Sequence, residues 1–560
     1  MRRLYTDAGR SLPEIPWARY PRPQMRRDDW LCLNGEWELR INQGYRASRD
    51  CKIRVPFCPE SLLSGVEQPP KIGDQLVYRR AFTIPETWRG RRVLLHFGAV
   101  MRSCRVCVNG KELCRHENGY LPFTVDITDA LREGNNELAV FCENDLDHTY
   151  PWGKQSVRRG GMWYTPCSGI WQSVWLEPVP ETHIRALQIE TGADYAVITA
   201  EGVSDGEVLL NGERYPLKNG SVRVPVKSPR LWSPEDPFLY DFTLLSGEDR
   251  VEAYFALRSL SVENVKGIPR LCLNGKPYFF NGLLDQGYWS DGLYTPAAPE
   301  GFEQDIRAMK SLGFNTLRKH IKIEPEQFYY DCDRLGMIVF QDMVNNGGYA
   351  YIRDTVLPTL HFQKRRDKRL HRDPESRRVF LQSMEETVQL LRSHPCVCLW
   401  TIFNEGWGQF EADKAYERLK ALDDSRFIDA SSGWFHQKKS DVDSLHIYFD
   451  ALHLGKKPLP QFLSEFGGYV WKIPEHSFNT EKTYGYRKYE TREAFVAALR
   501  ETYGEVLPKL VRGGLCAAIY TQVSDVEDET NGFLTFDRAV CKAKPEELSA
   551  LMAALQEAVG

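Results

Sequence analysis

Two glutamates each close a short apolar run in this chain. VCLWTIF leads into Asn404-Glu405, and QFLSEFGGY carries Glu465. Runs this short and this rich in β-formers read as buried strands. The segment EADKAYERLKAL after the first reads as a helix. A carboxylate just past the C-terminal end of a buried parallel strand stands where barrel enzymes hold their reacting groups. Two facing carboxylates can hydrolyse a glycosidic bond, one as general acid and the other as nucleophile or as base for water. The alternative is a pair of buried ion-pair partners in a barrel that binds without turnover. Two glutamates at two strand ends, in these flanks, favour chemistry.

The elements that must position them follow from the rest of the sequence. From about residue 263 strand-like and helix-like segments alternate. The strand candidates are KPYFFNGLL, NTLRKH, GMIVFQDM, VCLWTIFNE, RFIDASSGW, SLHIYF, QFLSEFG and LCAAIYTQVSD. Amphipathic helices lie between several of them, as in GFEQDIRAMKSLG and EQFYYDCDRLG. Eight βα units predict a (β/α)8 TIM barrel over 263–560. The connections after strands five and six are too short for full helices. Counting strands puts Glu405 at the end of strand four and Glu465 at the end of strand seven, across the barrel mouth from one another.

Upstream the signals are β throughout, punctuated by Gly, Asn and Pro. They predict a jelly-roll β-sandwich over 1–180 and a smaller immunoglobulin-like β-sandwich over 181–262. Both read mainly as braces, except that a loop over residues 145–152 could reach the barrel mouth. The composition is that of a soluble globular protein, 42% hydrophobic and 26% charged, with a net charge of −4 that offers no general attraction to nucleic acid. The basic run QKRRDKRLHRD lacks interleaved aromatics and reads as a solvated loop. No apolar leader or membrane-length apolar run is visible. The 14 scattered cysteines read as buried thiols of a cytoplasmic protein. Cys104 and Cys107 have metal-ligand spacing but sit in an alternating strand, which makes a metal site there improbable.

Several stretches together resemble glycoside hydrolase family 2: NEGWGQF, SEFGG, LRKHIKIEPEQFYYDCDRLG, VNGKELCRHENGYLPFTVDIT and GGMWYTPCSGIWQSVWLEP. The resemblance covers nearly the whole chain after residue 30 and includes the order of the three modules. It implies that Glu405 is the general acid/base, that Asn404 holds the sugar 2-OH and that Glu465 is the nucleophile. It also implies that Arg318 pairs with a carboxylate such as the nucleophile and that His320 lies near the sugar. His446 and Tyr448 match polar residues around the nucleophile, and the place of His446 at a strand end favours a site role over a satisfied core histidine. From position alone, Gln522 and Asp525 after strand eight, and Asp285 and Gln286 after strand one, are candidates to touch substrate hydroxyls. Trp407 and Trp434 fit a sugar platform and fit packing equally well.

The expected partner is a carbohydrate, with no cofactor, no metal, no nucleic acid and no membrane, and with oligomeric state left open. Members of the family act on β-linked galactosides, glucuronides or mannosides from the non-reducing end. Its glucuronidases carry an Asn-x-Lys motif after strand eight. Here ETNGFLTFDR keeps Asn531 and Gly532 without that lysine. A uronate carboxylate needs a facing cation, so a neutral glycone is favoured unless Lys319, Lys322 or another loop supplies the charge. The acid-rich SDVEDE points the same way, because carboxylates accept sugar hydroxyls. The expectation is therefore a retaining exo-β-glycosidase with β-galactoside favoured. A β-glucuronidase, β-mannosidase, arabinosidase or non-catalytic binding barrel is the alternative.

Overall fold

The computed structural model describes residues 2–44 and 47–559. Met1, Tyr45, Arg46 and Gly560, which fall in the first and last of the expected units, lie outside the described residues. The eight expected barrel strands are all present. They are β1 (Phe280–Asp285), β2 (Thr316–Lys319), β3 (Ile338–Asp342) and β4 (Val397–Asn404). The remainder are β5 (Phe427–Ser432), β6 (Asp443–Ile447), β7 (Gln461–Phe466) and β8 (Leu515–Tyr520). All ladders are parallel, in the sheet order β5-β4-β3-β2-β1-β8-β7-β6. Every residue of seven strands is buried, and only Leu445 and His446 of β6 are half-buried. Burial on both faces is why these strands read as nearly continuous apolar runs.

Only the seam between β5 and β6 lacks a backbone ladder. Side chains bridge it instead: the Ser444 hydroxyl donates to Asp429 Oδ1 at 2.9 Å and to Ser431 O at 3.3 Å. No helix follows β5 or β6 among the described residues, as their short connections required. The other outer helices span Glu300–Ser311, Glu326–Leu335, Pro374–Leu391 and Ala412–Leu422, with Arg492–Glu501 and Pro545–Glu557 completing the ring. The helix over Pro374–Leu391 starts where it does because Asp373 accepts from the Ser376 amide at 2.7 Å and proline occupies the first turn.

One strand expectation is corrected. KPYFFNGLL is not a single strand: Lys276–Pro277 pairs antiparallel with Leu273 and Cys272 to finish a small sheet, and β1 begins only at Phe280. That sheet starts with Leu260–Val265, so its hairpin spans the sequence division between residues 262 and 263.

The N-terminal module is a sandwich of a four-stranded and a six-stranded antiparallel sheet around its own apolar core. The second is a smaller sandwich of three and four strands. The first sandwich also reaches the barrel mouth. Trp152 donates its amide to Asn345 O at 3.0 Å and its indole N–H to Gly347 O at 3.1 Å. Gly347 N donates to His148 O at 2.6 Å, and Asn346 Nδ2 to Thr149 O at 2.7 Å. Four hydrogen bonds thus fasten the 145–152 loop to the loop after β3. Gly153 continues the chain at φ +66°, where a Cβ would lie 2.8 Å from the Tyr120 hydroxyl and 3.2 Å from Ile321 O. Glycine is what lets the backbone approach the barrel this closely.

Candidate active site

Glu405 and Glu465 face each other across the barrel mouth with His446 between them. A carboxylate oxygen of each glutamate and a ring nitrogen of the histidine all lie within 4.8 Å of one another. Glu405 leaves the end of β4 with φ +52°, a left-handed backbone unusual for a residue other than glycine. Such strain gathers at functional sites. His446 Nδ1 is 2.9 Å from Glu405 Oε1 and 3.5 Å from Glu465 Oε2, and its Nε2 is 3.2 Å from the Ser432 hydroxyl. Gly433 makes room for this ring, since a Cβ there would lie 2.7 Å from it.

Glu465 is held by cations and donors. Arg318, fully buried on β2, reaches Glu465 Oε1 at 3.3 Å, Ser464 O at 2.9 Å, Asp342 Oδ1 at 2.9 Å and Asn404 Oδ1 at 2.9 Å. Tyr448 donates its hydroxyl to Glu465 Oε2 at 2.6 Å, and its ring is stacked on Tyr486 with centroids 3.7 Å apart. Arg318 thereby fixes Asn404 as well: with its oxygen engaged, Nδ2 has no partner among the described residues. His320 places Nδ1 2.8 Å from Asp342 Oδ2.

These surroundings push the two glutamates apart. Burial raises the pKa of Glu405, the Glu465 charge raises it further, and the His446 hydrogen bond only partly opposes them. For Glu465 burial acts upward too. It is outweighed by His446, Arg318, His320 and Lys154, which hold the group down at about 2. One carboxyl is thus biased to carry a proton while its neighbour stays ionised, the division of labour that acid and nucleophile require. His320 is lowered to about 4, by burial first and by the Lys154 charge second.

The remaining sequence candidates divide. Trp434 donates its indole N–H to Glu405 O at 3.1 Å and lies edge-on to His446. Trp407 is buried beneath Trp163, their rings stacked at 5.3 Å. Asp285 accepts from Lys319 Nζ at 2.6 Å and from Gly287 N at 2.9 Å. Asp525 accepts from the buried Lys542 Nζ at 2.6 Å and from Gly532 N at 2.9 Å. Both aspartates thus pair with lysines of the protein, although Asp525 Oδ2 has no partner among the described residues. Gln522 gives its amide N–H to Asn531 Oδ1 at 2.9 Å, while its Oε1 and the Nε2 of Gln286 have no partner among the described residues. The other acids of SDVEDE are engaged as well. Glu527 accepts from Thr165 N and Arg159, Asp528 from Asn479, and Glu529 from the Tyr164 hydroxyl and Asn531.

Four members of the cluster escaped the sequence reading. Asp342 ends β3 as Glu405 ends β4, so the same strand-end rule would have found it. Tyr486 comes from the long connection after β7, with no local signal. Trp163 and Lys154 come from the N-terminal sandwich. Lys154 follows the strapped loop by two residues and is 7% exposed, with Nζ 5.8 Å from the Tyr164 ring centroid and 5.9 Å from that of Trp407.

Two sandwiches followed by an eight-stranded barrel, with a buried glutamate pair at the ends of its fourth and seventh strands, define a barrel of the glycoside hydrolase class. Residues 28–180 match the sugar binding domain of glycosyl hydrolases family 2, residues 183–258 match a second region of that family, and residues 264–463 match its TIM barrel domain. The chain belongs to glycoside hydrolase family 2. It is 23% identical over 431 residues to the beta-galactosidase of Thermoanaerobacter pseudethanolicus, covering 70% of this chain and 54% of that protein. The first three curated relatives are matched over 34% to 54% of their length, so the chain spans about half of them or less. Among solved structures, the beta-D-glucuronidase of Dictyoglomus thermophilum superposes with a TM-score of 0.73 at 18% identity, over 95% of this chain and 98% of that one. A GH2 beta-galacturonidase from Eisenbergiella tayi bound to galacturonate gives 0.70 at 19% identity, over 96% and 99%. No described helix is long and apolar enough to cross a membrane.

Proposed function

We propose that the chain is a retaining exo-β-glycosidase in which Glu465 is the nucleophile and Glu405 the acid/base. The observation that carries this reading is the short separation of the two glutamates, with an oxygen of each within 4.8 Å of the other. Retaining enzymes hold their carboxyl groups roughly 5–5.5 Å apart, whereas inverting enzymes leave about 6.5–9.5 Å for a water. The ionised Glu465, steadied by Arg318 and Tyr448, attacks the anomeric carbon while Glu405 protonates the departing oxygen. Glu405 then takes a proton from the water that releases the sugar. Asn404, its carbonyl oxygen fixed by Arg318, offers Nδ2 to the sugar 2-OH.

For the glycone, the absent Asn-x-Lys motif and curated relatives named as beta-galactosidases support a galacto-configured β-glycoside. One observation favours a second reading, an acidic glycone: Lys154, a buried cation from another loop, lies 5.9 Å from the ring of Trp407, two residues after Glu405. Lys319 and Lys322 cannot serve, because both are buried against Glu324, and Lys319 against Asp285 as well.

The test is hydrolysis of p-nitrophenyl β-galactoside, glucoside, mannoside, xyloside, glucuronide and galacturonide and of the α-L-arabinosides. Release from at least one of them by the wild type, and from none by Glu465→Gln, is expected. A folded protein that releases nitrophenol from no glycoside would contradict the proposal.

A further inference from the structure

We infer that Lys154 is a specificity residue and that the glycone it selects carries an anion, a carboxylate at C6, so that the substrates are β-linked hexuronides. This rests on the glycosidase reading above and names the class of sugar that site accepts. The Lys154 ammonium makes no hydrogen bond or ion pair with a described residue. The other buried lysines near the barrel mouth are all paired: Lys319 with Asp285 and Glu324, Lys322 with Glu324, Lys542 with Asp525. A cation this buried ordinarily has an anionic partner, since desolvation without one is costly. Two aromatic faces at nearly 6 Å are a weak substitute.

Its position is built rather than accidental. The strapped loop and Gly153 press the preceding backbone against the barrel, and Lys154 O accepts from Tyr164 N at 3.0 Å. The ammonium lies 5.9 Å from the ring of Trp407, two residues after Glu405 on the same strand-end loop, and its charge is felt by Glu405, Glu465 and His320. Glu465 is already served by Arg318, Tyr448 and His446, so Lys154 is not needed to hold it. The loop that receives Trp152 also presents Asn345, whose side-chain oxygen and nitrogen both lack a partner among the described residues. A single ammonium, with a free neutral amide on the loop to which its own loop is strapped, suits a monoanion that also accepts hydrogen bonds, which is a carboxylate. A 6-phosphoglycoside offers an anion at the same carbon but brings more charge than one lysine balances.

The experiment compares kcat/KM of wild type, Lys154→Met and Lys154→Arg on p-nitrophenyl β-galacturonide, β-glucuronide, β-galactoside, β-glucoside and 6-phospho-β-galactoside. The wild type is expected to prefer a uronide. Lys154→Met is expected to lower the uronide-to-hexoside ratio on the order of 100-fold, the scale on which loss of one partner of a buried charge pair acts. Lys154→Arg should recover part of that ratio. Some loss common to all substrates is expected, because the lysine also acts on Glu465. A fall that is equal on acidic and neutral glycosides would overturn the assignment. So would a wild type that hydrolyses only neutral sugars or only the phosphoglycoside, each of which leaves the glycosidase reading intact. Silence on every glycoside would instead contradict that reading and this one with it.

Discussion

Glu465→Gln is expected to reduce kcat by on the order of 10⁵-fold or more on every substrate, the scale of losing a covalent nucleophile. Glutamine keeps the shape and removes the charge that Arg318 and Tyr448 converge on. The fold should survive, because Arg318 retains Asp342, Asn404 and Ser464 O as partners. The companion Glu465→Ala leaves space beside the anomeric carbon. Azide should enter it and attack from the face the carboxylate vacated, giving the α-glycosyl azide from a β-glycoside. The check is the residual rate together with the configuration of the azide product. Wild-type turnover in Glu465→Gln, or a β-azide from Glu465→Ala, would remove Glu465 from the nucleophile role.

Glu405→Ala should show a different signature, because an acid matters in proportion to how badly the leaving group needs a proton. For a poor leaving group such as methanol or a second sugar, kcat/KM should fall by about 10²–10⁴-fold, the usual contribution of general acid catalysis. For a dinitrophenyl glycoside it should change far less, while kcat drops because water still lacks its base. The pH profile gives an independent reading. In the wild type, kcat/KM needs Glu465 ionised and Glu405 protonated. Activity therefore falls as pH drops toward the depressed pKa of Glu465 near 2, and falls again as pH rises through the elevated pKa of Glu405. Only the alkaline limb belongs to Glu405, so that limb should vanish in Glu405→Ala. Equal losses on activated and unactivated glycosides would contradict the assignment.

The barrel was legible because parallel strands buried on both faces advertise themselves as short apolar runs; the ends of those runs marked Glu405 and Glu465 and favoured His446, while Arg318 and Tyr448 came from the family resemblance. The site pairings were not all legible, because they depend on side chains distant in the chain. Asp285 and Asp525 stood at the expected strand ends, yet each turned to a lysine that sequence position could not pair with it. SDVEDE read as a hydroxyl-binding rim, but its carboxylates accept from Arg159, Thr165, Tyr164 and other protein groups. The first barrel strand was drawn too long because Lys276–Pro277 continues the same apolar spelling into a different sheet. Lys154 lay just beyond the loop picked out as able to reach the barrel. Its place in the site comes from hydrogen bonds between residues about two hundred positions apart, which no local pattern records.

The proposed mechanism has two carboxylates acting in sequence through a glycosyl-enzyme intermediate. The most direct test is proton NMR of the first sugar released from the p-nitrophenyl β-glycoside the protein hydrolyses best, recorded before mutarotation. Double displacement predicts that the β-anomer appears first and the α-anomer grows in only as the free sugar equilibrates. An α-anomer appearing first would mean a single displacement by water and would contradict the nucleophile role of Glu465.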